Sequence, residues 1–130
     1  MVVRLIRSAT LYQGVPYAYA ASSDAQSLFF TAGACPLDEA GEVVAPGDVA
    51  AQARQTLANL RVVLEECGCG FADVLKTTVY VASADRTDLV TAWNEVASAF
   101  GEHDAPSTLL GVAVLGYESQ LVEIEAVAAR

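Results

Sequence analysis

Residues 121–128, Leu-Val-Glu-Ile-Glu-Ala-Val-Ala, alternate with a period of two, and this alternation constrains the fold more than any other stretch of the chain. A period of two is the repeat of a β-strand. Val122, Ile124, Ala126 and Ala128 fall on one face, while Leu121, Glu123, Glu125 and Val127 fall on the other. The first face is core. The second sets two carboxylates among apolar neighbours, so it faces either water or a polar pocket, and the rest of the chain has to decide which.

Upstream, residues 17–22 and 27–34 read as strands, and Ser22-Ser23-Asp24 supplies turn chemistry that would join them as a hairpin. Residues 36–47 hold two prolines and two glycines and read as a loop. Asp48 is a good N-cap for a first helix. In that helix Ala53, Leu57, Leu60, Leu64 and Cys67 recur at spacings of four and three as one apolar stripe, and Gly68 sits where a left-handed C-cap is wanted. Residues 74–82 are rich in β-branched side chains and form the next strand. A second helix starts near Asp85, with Asp88 three positions on in a capping-box-like arrangement. Leu89, Trp93, Val96 and Phe100 form its buried stripe, which assigns Trp93 to the core. Strands over 107–113 and 120–129, separated by a turn at 116–119, complete one domain over residues 1–130. Two amphipathic helices cover only one face of such a sheet. The open face carries Glu123 and Glu125 with Leu121 and Val127. A second subunit, in a closed ring, is the simplest way to bury it.

Composition removes several classes of function. With 54% hydrophobic and 18% charged residues, the chain is globular rather than disordered. No apolar run has the length of a membrane span, and the N-terminal residues lack the order of a signal peptide, so no membrane role and a cytoplasmic location are the expectation. The net charge is −9, Lys76 is the only lysine and the six arginines are scattered, which disfavours nucleic acid as a partner. Cys35, Cys67 and Cys69 make an odd count that suits a reducing compartment. Cys67-Gly68-Cys69 is read as two small residues around a helix-ending glycine. Zinc needs about four ligands, and with His103 the only histidine no metal site is expected. The same count weakens any Ser-His-Asp or Cys-His triad.

Several segments, taken in order and spacing, carry a resemblance. They are Gly14-Val15-Pro16-Tyr17, Phe30-Thr31-Ala32-Gly33-Ala34-Cys35-Pro36-Leu37, Gly41-Glu42-Val43-Val44, Gln52-Ala53-Arg54-Gln55-Thr56-Leu57-Ala58-Asn59-Leu60, Val74-Leu75-Lys76-Thr77-Thr78-Val79-Tyr80-Val81 and Val122-Glu123-Ile124-Glu125-Ala126-Val127-Ala128. Together they resemble the RidA family, also called YjgF/YER057c/UK114, over about residues 14–128. The resemblance implies a chorismate-mutase-like (YjgF-like) α+β fold, with a mixed sheet, two helices on one face and a homotrimeric barrel whose three clefts lie between subunits. It implies a small-molecule ligand and no cofactor. Family members of the RidA type hydrolyse reactive enamines and imines, released by pyridoxal-phosphate dehydratases, to 2-keto acids and ammonia. Others have been linked to ribonuclease or translation-inhibiting activity.

Carried over position by position, the family's cleft tyrosine matches Tyr17, its backbone-contributing glycine Gly33, and its water-holding glutamate Glu123, with Glu125 two residues on. A family serine is replaced by Ala32. The family's essential arginine, in a Pro-Ala-Arg-Ser/Thr pattern, falls on Ser107 when the strand is aligned on Gly111-Val112-Ala113, and no arginine lies between Arg86 and Arg130. Cys35 and Leu109 complete the expected lining. Cys35 is read as a small buried residue at a strand end, with no cation near it to make it a nucleophile.

Arginine grips a carboxylate through two parallel charge-assisted hydrogen bonds, and serine supplies neither the charge nor the fork. Ordinary 2-imino acid deamination is therefore expected to be weak or absent. Three readings follow. The first is an altered-substrate enzyme in which Glu123 is general base, Tyr17 orients the substrate, and Gly33 and Ser107 contact a neutral or cationic imine, enamine or related carbonyl compound. The second is a non-catalytic trimer that binds a metabolite or a protein, with Glu123 only bonded across the interface. The third is an RNA-directed protein, against which stand the net charge and a cleft expected to lack His, Lys and Arg.

Overall fold

The computed structural model describes residues 3–130; Met1 and Val2, where the expected domain begins, lie outside the described residues. In chain order the elements are strand β1 (Val3–Ile6), β2 (Ala20–Ser23), β3 (Leu28–Phe30), helix α1 (Val49–Glu66), β4 (Val74–Val81), helix α2 (Arg86–Phe100), β5 (Ser107–Gly111) and β6 (Val122–Ala129). The main sheet has the order β3-β6-β4-β5, in which β4 and β5 run parallel and the other pairs antiparallel. Both helices lie on one face, as the two apolar stripes require. This is an α+β fold.

Helix α1 starts where its cap predicts. The Asp48 carboxylate accepts the Ala51 N–H at 3.0 Å, and Gly68 just past the end has φ +78°, the left-handed region glycine favours. Ala53, Leu57, Leu60 and Leu64 are buried against Val79, Val81, Val122 and Ile124, while Cys67 is half-buried. In α2, Val96 and Phe100 are buried with Ala92, and Leu89 and Trp93 lie half-buried at the core's margin. At the start of α2 Asp85 accepts the Thr87 N–H at 2.9 Å, but no capping box forms. The Asp88 carboxylate takes the Ser83 hydroxyl at 2.7 Å, and Ser83 also accepts the Asp85 N–H at 3.0 Å, so serine does the work expected of Asp88.

The expected hairpin between residues 17–22 and 27–34 does not form. β2 pairs with β1, a four-residue strand too short to be heard in the sequence pattern, and β3 pairs with β6. Residues 17–19 are held instead by the Ala18 N–H on the Asp104 carbonyl at 2.8 Å and the Tyr19 N–H on the Ile6 carbonyl at 3.1 Å. The strand expected over 27–34 breaks after Phe30. Phe30 pairs with Val127 but Ala34 pairs with Ile124, a register change of one residue, so one extra residue bulges out around Ala32 and Gly33. Pairing also stops at Gly111 and begins again at Val122, two residues short of each expected strand end.

One buried polar side chain fixes the approach to β6. Gln52 has no solvent exposure, accepts the Leu121 N–H at 2.7 Å, and donates to the carbonyls of Ser119 at 3.0 Å and Ala45 at 3.3 Å. Gln52→Leu keeps most of the volume but strands these backbone groups, each costing about 1–3 kcal/mol when left unpaired. Urea unfolding at fixed protein concentration is expected to show a loss of about 2–3 kcal/mol.

Candidate functional site

The sheet register sorts the expected site residues onto two sides. Buried Val122, Ile124 and Ala126 point to the helices, so Glu123, Glu125 and Val127 point away. Across from them on β4, Tyr80 faces Glu123 and Thr78 faces Glu125. The same open face carries Leu28, Phe30 and Leu110, which are 54%, 73% and 41% exposed. This is the mixed acidic and apolar surface that the alternation of residues 121–128 implied.

Glu123 is the most constrained group on that face. Its Oε1 accepts hydrogen bonds from Gln120 Nε2 at 3.1 Å and the Cys35 thiol at 3.4 Å. Its Oε2 lies against Gly33, where a Cβ would overlap it. A side chain at 33 would therefore have to push the Glu123 carboxylate aside. Cys35 is not the fully buried hydrophobe expected; it is a half-buried thiol aimed at a carboxylate. Burial, and then the charge and hydrogen bond of Glu123, push that thiol up to about 11. Ala32 is exposed beside this group, on the bulge. Glu125 lies next to the Tyr80 hydroxyl, which is raised above the usual phenol range by desolvation and then by the charges of Glu125 and Glu123.

Ser107 and Tyr17 belong to a different place. Ser107 pairs with Thr77 on the helix side of the sheet and accepts the Thr77 hydroxyl at 2.7 Å. With Pro16, Tyr17, Trp93, Thr108 and Leu109 it lines a groove of about 440 Å³ along the free edge of β5. The Tyr17 ring stands edge-on to Trp93 at 6.4 Å and to Tyr19 at 6.0 Å. Trp93, assigned to the core from its helical stripe, is therefore also a wall of the groove. Its spacing alone could not reveal this, because the neighbour that makes it a wall comes from the loop before β2. From Ser107 to Glu123 the path crosses two strand spacings, about 10 Å, runs three residues along the strands, and passes to the other face. One chain therefore does not bring Tyr17 and Ser107 to Glu123 and Gly33.

Two cations bond to residues near the groove, and neither lines it. Lys76 Nζ donates to Thr108 Oγ1 at 2.6 Å, on the face opposite Ser107. Arg7 forks onto Asp104 at 3.0 and 2.5 Å, which satisfies it and lowers the Asp104 carboxyl pKa through that hydrogen bond. Neither stands in for an arginine at 107. His103 is tied to the Val74 carbonyl by Nε2 at 2.8 Å, away from both half-sites.

A family model described as endoribonuclease L-PSP matches residues 11–130. A 2-iminobutanoate/2-iminopropanoate deaminase of Escherichia coli K12 is 37% identical over 116 residues, covering 86% of this chain and 87% of its own. A RutC family protein of Haemophilus influenzae is 38% identical over 117 residues, covering 86% of each chain. Among solved structures, the Rid family protein YyfB of Yersinia pestis, described as of unknown function, superposes with a TM-score of 0.94 at 31% identity over 100% of both chains.

Proposed function

This chain belongs to the endoribonuclease L-PSP family, the YjgF/RidA group, and on that premise we propose that it hydrolyses an imine or enamine carrying no carboxylate, in clefts between the subunits of a homotrimer. The observation that carries the reading is the pairing of a fixed carboxylate at Glu123 with a groove whose position 107 is serine. The two half-sites lie on opposite sides of one chain's sheet, so a complete site needs the groove of one copy against the open face of another. Exposed Leu28 and Phe30 supply apolar area for such a contact.

In the assembled cleft an enamine first tautomerises to its imine. Glu123 takes a proton from water as the water adds to the C=N carbon and passes it to the nitrogen, giving the carbinolamine. It then moves the hydroxyl proton to the nitrogen in the same way, so that the C–N bond breaks, ammonia leaves and the C=O forms. Tyr17 and Trp93 hold the body of the substrate. The Gly33 backbone and the Ser107 hydroxyl contact its polar atoms, with Ala32, Cys35, Leu109 and Glu125 around them. The Thr77 hydroxyl donates to Ser107, which leaves the Ser107 proton for an acceptor on the ligand. A 2-imino acid would bring a carboxylate into a cleft that holds Glu123 and no bidentate cation. The free cysteines accord with a cytoplasmic location.

The test compares substrates generated in situ. Release of ammonia from an imine of a neutral ketone is expected to be accelerated by the purified protein, and release from 2-iminopropanoate to stay near the uncatalysed rate. Turnover of 2-iminopropanoate at the rate of an arginine-bearing relative would overturn the altered-substrate reading. The net charge of −9 argues against RNA as the substrate.

A further inference from the structure

We infer that Cys35 and Gln120 are positioning residues that hold Glu123 by one carboxylate oxygen and leave the other, above Gly33, for the reacting water. This rests on the reading of Glu123 as the base. Both donors reach Oε1, the single Cys35 S–H lying between Oε1 and the Gly33 carbonyl at 3.4 Å each, and among the described residues Oε2 receives no hydrogen bond. Each donor is itself anchored. Gln120 is 3% exposed and its amide is fully used: the carbonyl accepts the Tyr117 N–H at 3.1 Å, and the NH2 serves the Val122 carbonyl at 3.0 Å as well as Glu123. Flipping it would set oxygen against oxygen at Val122, so the backbone dictates which end faces Glu123.

Cys35 is anchored through its main chain. Asn59 on α1 donates to the carbonyls of Cys35 at 2.8 Å and Leu37 at 2.9 Å. The neighbouring Ala34 exchanges two backbone hydrogen bonds with Ile124, at 2.7 and 3.1 Å, across the bulge that presents Gly33. The thiol and the carboxylate are thus fixed from the same pair of strands. A thiol pushed up to about 11 keeps its proton at neutral pH and remains a donor. A carboxylate held at one oxygen has one orientation for its free lone pairs, the condition under which a base can aim a water at a fixed carbon.

The experiment labels the full chain with [3-13C]cysteine and follows the Cys35 Cβ resonance with pH, with Cys67 and Cys69 as internal references. The parent Cys35 is expected to remain a thiol through pH 9. In Glu123→Gln its midpoint is expected to fall by about one unit or more, toward the ordinary thiol value near 8.5. An unchanged midpoint would overturn the coupling whatever the activity does. On the neutral imine, Cys35→Ala and Gln120→Leu are each expected to lower kcat about tenfold with KM within about twofold, and Cys35→Ser to recover much of the loss. If Glu123→Gln abolishes turnover while Cys35→Ala and a folded Gln120→Leu match the parent, the positioning role is overturned and the proposed function stands. If Glu123→Gln itself turns over like the parent, the proposed function falls and the NMR midpoint alone decides whether the clamp exists.

Discussion

Ser107→Arg is expected to raise turnover of 2-iminopropanoate about 100-fold or more over the parent chain. Two charge-assisted hydrogen bonds to a substrate carboxylate contribute roughly 1.5–3 kcal/mol each, and each 1.4 kcal/mol is about a factor of ten. Against that gain stands the buried hydroxyl of Thr77, 2% exposed, which loses Ser107 as its acceptor at a cost of about 1 kcal/mol. Space is not limiting, because the groove beside Ser107 is open along the edge of β5. Lysine is the control. Ser107→Lys adds the charge without the planar fork and is expected to gain clearly less. The rate is read as ammonia release from imine generated in situ, with circular dichroism confirming that each variant folds. A folded Ser107→Arg protein with no gain would show that the rest of the cleft is not built around an imino acid, and the argument from the missing arginine would lose its basis.

What could be read in the sequence, and what could not, follows the range of the interactions involved. Helix α1 and strand β6 were legible because their signals are local: Asp48, the spacing from Ala53 to Leu64, Gly68, and the alternation of residues 121–128 act within a few residues of chain. The pairing of β2 with β1 was not, because Val3–Ile6 is four residues long and its partner returns only after a long loop. The bulge at Ala32 and Gly33 is invisible for a related reason. It is a mismatch between two strands, not a property of either one. The same limit governs the candidate site. Glu123 was singled out as a carboxylate on the uncovered face, and the fold puts it there. Its donors Cys35 and Gln120 were read as a small buried residue and the start of a strand, since nothing within either segment announces a carboxylate to bind. Lys76 is placed by the sequence on the strand over 74–82, but its partner is not, because Thr108, which it reaches, lies on a different strand. Trp93 was half understood: its helical stripe explained the buried edge of the ring and said nothing of the exposed one.

Glu123→Gln is the substitution that separates an enzyme from a binding protein of the same shape. Glutamine is nearly isosteric with glutamate. Its carbonyl oxygen can still accept from Gln120 and Cys35, and its amide nitrogen takes the place of Oε2 above Gly33. The fold and the shape of the cleft are therefore expected to survive, and only the proton acceptor is lost. A positioned general base contributes about 10²–10⁴ in rate, so turnover of the neutral imine is expected to fall at least about 100-fold. Binding of a stable ketone or amine analogue, followed by calorimetry, is expected to stay within a few-fold of the parent. Glu125 does not rescue the loss. It lies one pleat further along β6, beside the Tyr80 hydroxyl and away from the Gly33 backbone. Any residual activity then measures what the groove, the Gly33 backbone and desolvation contribute without a base. Turnover and binding both unchanged would mean that Glu123 serves only as a hydrogen-bond acceptor in the fold and is not the base, whereas a parent chain that binds the analogue but turns over no imine would be a ligand-binding member of the family. The opposite pattern, binding lost with turnover, would place the Glu123 charge in ground-state recognition of a cationic substrate, with its role as base then tested by the pH dependence of kcat/KM.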